Sequence, residues 1–463
     1  MPPPSRSLDR RDLLALFAIA FAAAALVGTH GLVYWDAGDY VRLALEGGPS
    51  GLLLGRPLFL LVSRAILRVA FGVGVDPAHA EPILRWSWTL ASSAAPPLLS
   101  LLGARLGLER RAAACAGLAL ALSPAFAHTA HQALTDGPAL ALSIGALAVV
   151  ARPGARPGST GRAIAGGAIL AAAIATRETA AVHLVALVLL AMRNGRRAAW
   201  AAAATTVGCA AAIVVLAHRG LPPSLTGWTS AMGRSSRLGP IDVAISLGWV
   251  LAIGPLPVVL GARALRTVRG DTAIVAWPAA AATALLLLYP FGAYSPRYVL
   301  STAPIALLLP AAAALARNPR LTLTALLVPL AIAWFATERT RAVAARGVDA
   351  SARFAARSLP DRALIVPGHY CPHVRLSHAI EARKTGAPRD VALLCPGWDW
   401  PDDPATTLDR ARCDGRTLLL DLRDDAWVGA GEVAPREQIQ GWARQHALYG
   451  PIATSAPQRC VTR

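Results

Sequence analysis

Of the 45 basic residues in this chain of 463, Lys384 is the only lysine, and charged residues of every kind make up just 16%. A soluble domain carries about 25%, so the shortage of charge excludes an ordinary water-soluble fold. No G-x-x-x-x-G-K-[ST] loop is present to cradle nucleotide phosphates, which removes the P-loop enzymes. There is no C-x-x-C pair, the usual half of a structural zinc site. The formal net charge of +18 raises nucleic acid as a partner. A nucleic-acid surface, however, needs a basic stripe with interleaved aromatics, and none exists. Nor is there an internal repeat of the kind that two-halved transporters show. The arginine and alanine bias fits a GC-rich bacterial genome better than any chemistry.

What the chain does have is apolar length. It is 55% hydrophobic, and many runs approach the roughly 20 residues that span a bilayer core. Candidate spans fall near 12–33, 83–104, 112–130, 136–151, 163–176, 179–192, 198–217, 242–261, 272–291, 298–316 and 320–337. The first has a long apolar region and a poor small-residue cleavage site, so it reads as a retained span rather than a signal peptide. "RSLDRR", "GLERR", "RPGARPGSTGR", "RNGRR", "RALRTVRG" and "RNPR" occupy every second connection. The positive-inside rule puts all of them in the cytoplasm. The arginines are then topology signals, the N-terminus lies inside and the C-terminal segment outside. Residues 163–192 hold two short apolar runs with "TRET" between them. A hairpin of two short helices keeps both flanking basic loops inside. It also places Arg177 in a protein-lined depression, the one setting where broken backbone is tolerated at membrane depth.

From about Glu338 the composition changes. The strand-like runs "ALIVPG", "VALLCPG" and "TLLLDLRDD" alternate with helix-like stretches, the signature of a small α/β domain. The expected architecture is therefore an all-α polytopic membrane bundle of about eleven transmembrane helices, residues 1–337, followed by a small extracytoplasmic α/β domain, residues 338–463. Cys371, Cys395, Cys413 and Cys460 lie in that domain. Outside the cytoplasm they fit two disulfides, in any of three pairings. Zinc is the alternative, since His369, His373 and His378 surround Cys371. Cys115 and Cys209 fall within spans, as small packing residues.

Three polar constellations fall on the outer side of this topology. "YWDAGDY" carries Asp36 and Asp39. The same loop continues into "GRPLFLLVSRAILRVAFG", where Arg64 and Arg68 stand one helical turn apart, as on an amphipathic helix in the interface. "HTAHQALTDG" carries His128, His131 and Asp136, and "YSPRYV" carries Arg297 and Tyr298. Bland readings exist for each. Asp36 fits a helix end, Asp136 a helix start before Pro138, and Arg297 a side chain snorkelling to headgroups. Arg177 fits an ion pair with Glu178 or Asp136. Against them, an ionisable residue inside a membrane marks function by default, and arginine matches phosphate oxygens bidentately. Arginines holding a phosphate, with carboxylates to accept a proton or to hold a divalent cation, form a site for group transfer. Asp39, Asp136 and His131 are the candidates for such a cation, which is left open.

These motifs resemble the GT-C superfamily of polyprenyl-phosphate-sugar glycosyltransferases, which includes protein O-mannosyltransferases and the lipid A aminoarabinose transferase. The similar segments are "YWDAGDY" after the first span, "GRPLFLLVSRAILRVAFG", "LTDGPALAL", "ATRETAAV" and "SPRYVLSTAPIALLL". The resemblance covers roughly residues 10 to 320. It implies Asp36 as catalytic base with Asp39 as its rival, Asp136 as the second-loop acid, and Arg297 on the lipid phosphate with Tyr298 and Arg177. The family's His-Pro-Pro segment reads "LGRPLF" here, with Arg56 before Pro57. That departure leaves the histidine's role unfilled and offers Arg56 as a phosphate contact. The implied partners are a polyprenyl-phosphate-linked sugar donor, a lipid, glycan or protein acceptor, and a bacterial inner membrane. A lipid-linked flippase is the alternative.

Overall fold

The computed structural model describes residues 8–28, 35–46, 56–151, 160–217, 240–288, 296–355, 362–385, 390–395, 400–401, 403–424, 427 and 433–458. They form two compact units. The first comprises residues 1–29, 47–69 and 82–338; the second comprises 30–46, 70–81 and 339–463.

The first unit is helical. Its elements are α1 (Arg10–Val27), most of α3 (Pro57–Gly72), and then α4 (Ala80–Ser92), α5 (Ala95–Arg105), α6 (Arg110–Ala121), α7 (Pro124–Ala130) and α8 (Asp136–Val150). They continue with α9 (Thr160–Thr176), α10 (His183–Met192), α11 (Arg196–Ala217), α12 (Pro240–Leu251), α13 (Pro255–Leu265), α14 (Gly270–Leu288), α15 (Ala303–Arg317) and the part of α16 (Pro319–Ala355) up to residue 338. Three of the described helices are long and apolar enough to cross a membrane alone, or up to five if each bent pair is one span. Shorter apolar helices cover Asp136–Val150, Thr160–Thr176, Glu178–Met192 and Ala303–Arg317. The segments are broken where their prolines stand. The run 83–104 divides into α4 and α5 ahead of Pro96 and Pro97. The run 112–130 bends by 59° before Pro124, and 242–261 by 98° before Pro255. Proline lacks the N–H and crowds the preceding turn, so each run ends as a helix there and restarts. In the other direction, α16 runs on to Ala355, well past the expected span end at 337.

Small residues let these helices approach closely. α9 packs against both α8 and α11. A Cβ on Gly167 would come within 2.7 Å of the Ala202 carbonyl oxygen. On α13, a Cβ at Gly261 would run into the Leu307 backbone of α15. Close backbone approach through small residues is how helices gain contact in lipid, where no hydrophobic drive exists between them.

The second unit holds α2 (Trp35–Glu46) and an α/β layer made of β1 (Arg362–Val366), α17 (Cys371–Thr385), β2 (Asp390–Leu393), α18 (Pro404–Cys413), β3 (Thr417–Asp421), α19 (Val433–Gln445) and β4 (Ile452–Ser455). The sheet order is β2-β1-β3-β4. β1 is parallel to β2 and to β3, while β4 closes antiparallel on β3. Strand periodicity of two divides the core. Leu364, Val366, Leu418 and Leu420 join Leu408 of α18 and Ile439 and Trp442 of α19, whereas Ala363, Ile365 and Leu419 join Val374 of α17. Helices thus cover both faces. A disulfide joins Cys371 to Cys395 with their Cα atoms 5.6 Å apart, and Cys413 is disulfide-bonded too. Cys460 lies outside the described residues. Cys115 and Cys209 are free thiols.

Candidate active site

Three chain breaks in the first unit bring charged side chains together. α8 starts at Asp136, directly after Thr135. α9 stops at Thr176, Arg177 is extended (φ −158°, ψ 123°), and a 3-10 turn over Glu178–Val182 leads into α10. Another 3-10 turn, Pro296–Ser301, carries Arg297 and Tyr298. Arg177 Nη1 donates to Asp136 Oδ2 at 2.7 Å and to Thr135 Oγ1 at 2.8 Å. Arg297 Nε donates to the same Oδ2 at 3.4 Å. The Arg177 guanidinium lies 4.3 Å from the centre of the Tyr298 ring, over its face. The Tyr298 hydroxyl accepts from Arg56 Nη2 at 3.4 Å, and Glu178 Oε1 accepts from the same nitrogen at 3.5 Å. His183 Nε2, 2.8 Å from the Ser301 carbonyl, ties the start of α10 to the second 3-10 turn.

The centre of this cluster is buried. The side chains of Arg177 and Asp136 are 0% and 3% exposed. Among the described residues, ion pairs join three guanidiniums (Arg56, Arg177, Arg297) to two carboxylates (Asp136, Glu178). Among the described residues, Arg177 Nε and Nη2 and Asp136 Oδ1 are buried without a hydrogen-bond partner. Buried donors are almost always paired. The arrangement is chemically suited to one more anion carrying several acceptor oxygens.

Sequence reasoning named Asp136, Arg177, Arg297, Tyr298 and Arg56, and the structure gathers all five. Of the two partners weighed for Arg177, Asp136 is the one taken; Glu178 goes to Arg56 instead. Asp136 is the first residue of α8, not its cap. The stacking of Arg177 on Tyr298 was not foreseen.

His131 is elsewhere engaged. Arg85 Nη1 is 2.7 Å from its Nε2 and Thr89 Oγ1 3.2 Å from its Nδ1. Arginine has no acceptor, so Nε2 offers its lone pair to Arg85 rather than to a metal. Asp136 Oδ2 is likewise taken up by two arginines. Among the described residues no three His, Cys, Asp or Glu side chains are grouped to hold a metal ion. Arg85 and Thr89 were missed; they share one face of α4, four residues apart, and that spacing was the only available signal.

Asp36 and Asp39 belong to the second unit, on α2. Asp36 sits in the first turn of that helix, where the macrodipole favours an acid, rather than at the end of the first span. Asp39 is buried and accepts from Arg42 Nε at 3.1 Å, while Arg42 Nη1 reaches Glu46 at 2.7 Å.

Solved structures share this architecture. ArnT from Cupriavidus metallidurans in the apo state matches with a TM-score of 0.59 at 16% identity, over 96% of this chain and 98% of that one. The same protein bound to undecaprenyl phosphate matches at 0.58 and 16%, over 98% and 99%. The oligosaccharyltransferase AglB from Archaeoglobus fulgidus, in complex with an inhibitory peptide and a dolichol-phosphate, matches at 0.50 and 11%, over 89% of this chain and 69% of that one. The chain shares the fold of these structures. No protein-family model matches it, and no curated protein matches by sequence. The resemblance carried by the sequence motifs thus holds at the level of fold, over nearly the whole chain.

Proposed function

We propose that this protein is an integral-membrane glycosyltransferase that moves a sugar from a polyprenyl phosphate to an acceptor on the outer face of a bacterial inner membrane. The observation that carries the reading is the buried cluster of Arg56, Arg177 and Arg297 around Asp136, in which Arg177 Nε and Nη2 have no hydrogen-bond partner among the described residues, in a chain with the fold of a protein that binds undecaprenyl phosphate. Residues 1–337 would form the bundle, with eleven spans and a cytoplasmic N-terminus, and 338–463 an extracytoplasmic domain.

In the reaction, an acceptor hydroxyl or amine forms a bond to the anomeric carbon of the sugar. The bond from that carbon to the phosphate oxygen breaks, and polyprenyl phosphate leaves with the electron pair. The extra negative charge grows on the phosphate, and Arg297 and Arg177 are the fixed positive charges that stabilise it without reorganisation. Asp36 takes the acceptor's proton as the new bond forms, with Asp39 orienting the acceptor.

Purified protein incubated with undecaprenyl-phosphate-linked hexose and pentose donors tests this reading. Release of undecaprenyl phosphate with a new glycoside is the expected result. Movement of intact donor across a vesicle bilayer without cleavage would instead make the chain a flippase.

A further inference from the structure

The cluster that would hold the phosphate is assembled from chain breaks, and two of these are joined by a buried histidine. Arg177 precedes the 3-10 turn Glu178–Val182, and α10 opens on His183 directly after it. Arg297 and Tyr298 stand on the other turn, Pro296–Ser301. The two turns pack together, and all of these residues belong to the first unit. His183 is 1% exposed, with Ala180 and Ala186 of the buried core on either side of it in sequence. An apolar side chain of similar size would fill that place. The reason for a ring nitrogen is the Ser301 carbonyl, 2.8 Å from Nε2. Ser301 is itself buried, and a buried backbone carbonyl requires a donor. A carbonyl has no hydrogen to give, so Nε2 carries the proton and donates it.

The turn that receives this bond is fastened further. Ser301 Oγ donates to the Tyr298 carbonyl at 2.8 Å. Thr302, the next residue, has its Oγ1 2.8 Å from Thr283 Oγ1 of α14, and its N–H donates to the Val299 carbonyl at 3.2 Å. Val299 and Leu300 are buried. Towards the cluster the contacts are looser. Arg297 Nε reaches Asp136 at 3.4 Å, beyond the usual range for such a bond, and the Tyr298 ring centre lies 4.3 Å from the Arg177 guanidinium. Contacts of this kind keep their geometry only if the turn that carries them is held from behind.

We infer that His183 is a positioning residue for the phosphate site. Its bond to Ser301 sets the turn Pro296–Ser301 against the break at Arg177, so that Arg297 and Tyr298 meet Asp136 and Arg177. His183 does not touch the phosphate; it acts through Arg297 and Tyr298. The inference rests on the reading of this cluster given under Proposed function.

Binding of undecaprenyl phosphate to the full-length protein in nanodiscs, scored per folded molecule, tests it. His183→Leu keeps the bulk and removes the donor. It should raise Kd about tenfold, roughly the loss of one hydrogen bond to a charged group. His183→Gln, whose amide nitrogen can take the place of Nε2, should bind as wild type does. His183→Asn, whose shorter amide cannot reach the Ser301 carbonyl, should weaken binding as leucine does, and it decides the question if the leucine variant does not fold. Residues that act as one unit do not add, so in an Arg297→Ala background His183→Leu should change Kd little further. Wild-type Kd in His183→Leu, equal losses in the Leu and Gln variants, or the full loss repeated on top of Arg297→Ala would overturn the inference. Arg297→Ala alone separates the two claims. If it weakens binding while His183→Leu does not, only the positioning role fails. If it binds as wild type does, the phosphate reading of the cluster fails.

Discussion

Two carboxylates in this chain are each held by a pair of arginines, in opposite surroundings. Asp136, 3% exposed, takes Arg177 at 2.7 Å and Arg297 at 3.4 Å. Asp390, 50% exposed at the start of β2, takes Arg416 at 2.7 Å and, across the strand pair, Arg362 at 3.1 Å. The contacts are nearly the same; the solvent is not. Water competes for every bond of the Asp390 group, so those pairs add little net stability. The Asp136 group has given up its hydration, and Arg177 Nε and Nη2 are buried there without a hydrogen-bond partner among the described residues. One constellation is read as surface decoration of a sheet edge and the other as a site, and the difference lies in burial, not in geometry.

The largest expected effect comes from breaking the buried group. Asp136→Ala leaves Arg177 and Arg297 without their shared counter-charge and should destabilise the first unit by about 3–5 kcal/mol, seen as lost folded yield or a lowered unfolding midpoint. Asp36→Asn should abolish transfer while folded yield and donor binding survive, measured by turnover beside undecaprenyl-phosphate binding. Gly261→Leu should lower the unfolding midpoint by forcing α13 off the Leu307 backbone, a steric cost of about 1–3 kcal/mol. The smallest effect falls on the exposed group. Asp390→Asn should leave neutral-pH stability unchanged within error. Hydrogen bonds from Arg416 and then Arg362 hold the Asp390 carboxyl below its ordinary value. Any contribution is therefore full above the unfolded value of about 3.9 and fades as pH falls through the lower folded one. Wild type and Asp390→Asn should converge in acid, as urea midpoints between neutral pH and pH 3 or so can show.

Much of this was legible in the sequence, for identifiable reasons. Apolar length marked the helices, and the interruption "TRET" marked the break at Arg177 because two charges cannot lie mid-span without a protein-lined setting. Pro96, Pro97, Pro124 and Pro255 were equally visible, yet hydropathy alone runs straight through them; reading them as breakers would have divided three of the expected spans. α16 outran its expected end because "RTRAVAARGVDASARFA" is a good helix-forming segment whose polarity says nothing against helix. The Asp136–Arg177 pair was one of two partners within reach of reasoning. Arg85 beside His131 was not, since nothing local in a sequence announces a partner 46 residues away.

The central claim is that the buried arginines are held for the phosphate of a lipid donor. Thermal unfolding of wild type, Arg297→Ala and Arg362→Ala, each with and without undecaprenyl phosphate, tests it most directly. A ligand at 100 times its Kd stabilises by about 2.7 kcal/mol. Wild type and Arg362→Ala should show the full rise in midpoint and Arg297→Ala little or none; an equal rise in all three would contradict the claim.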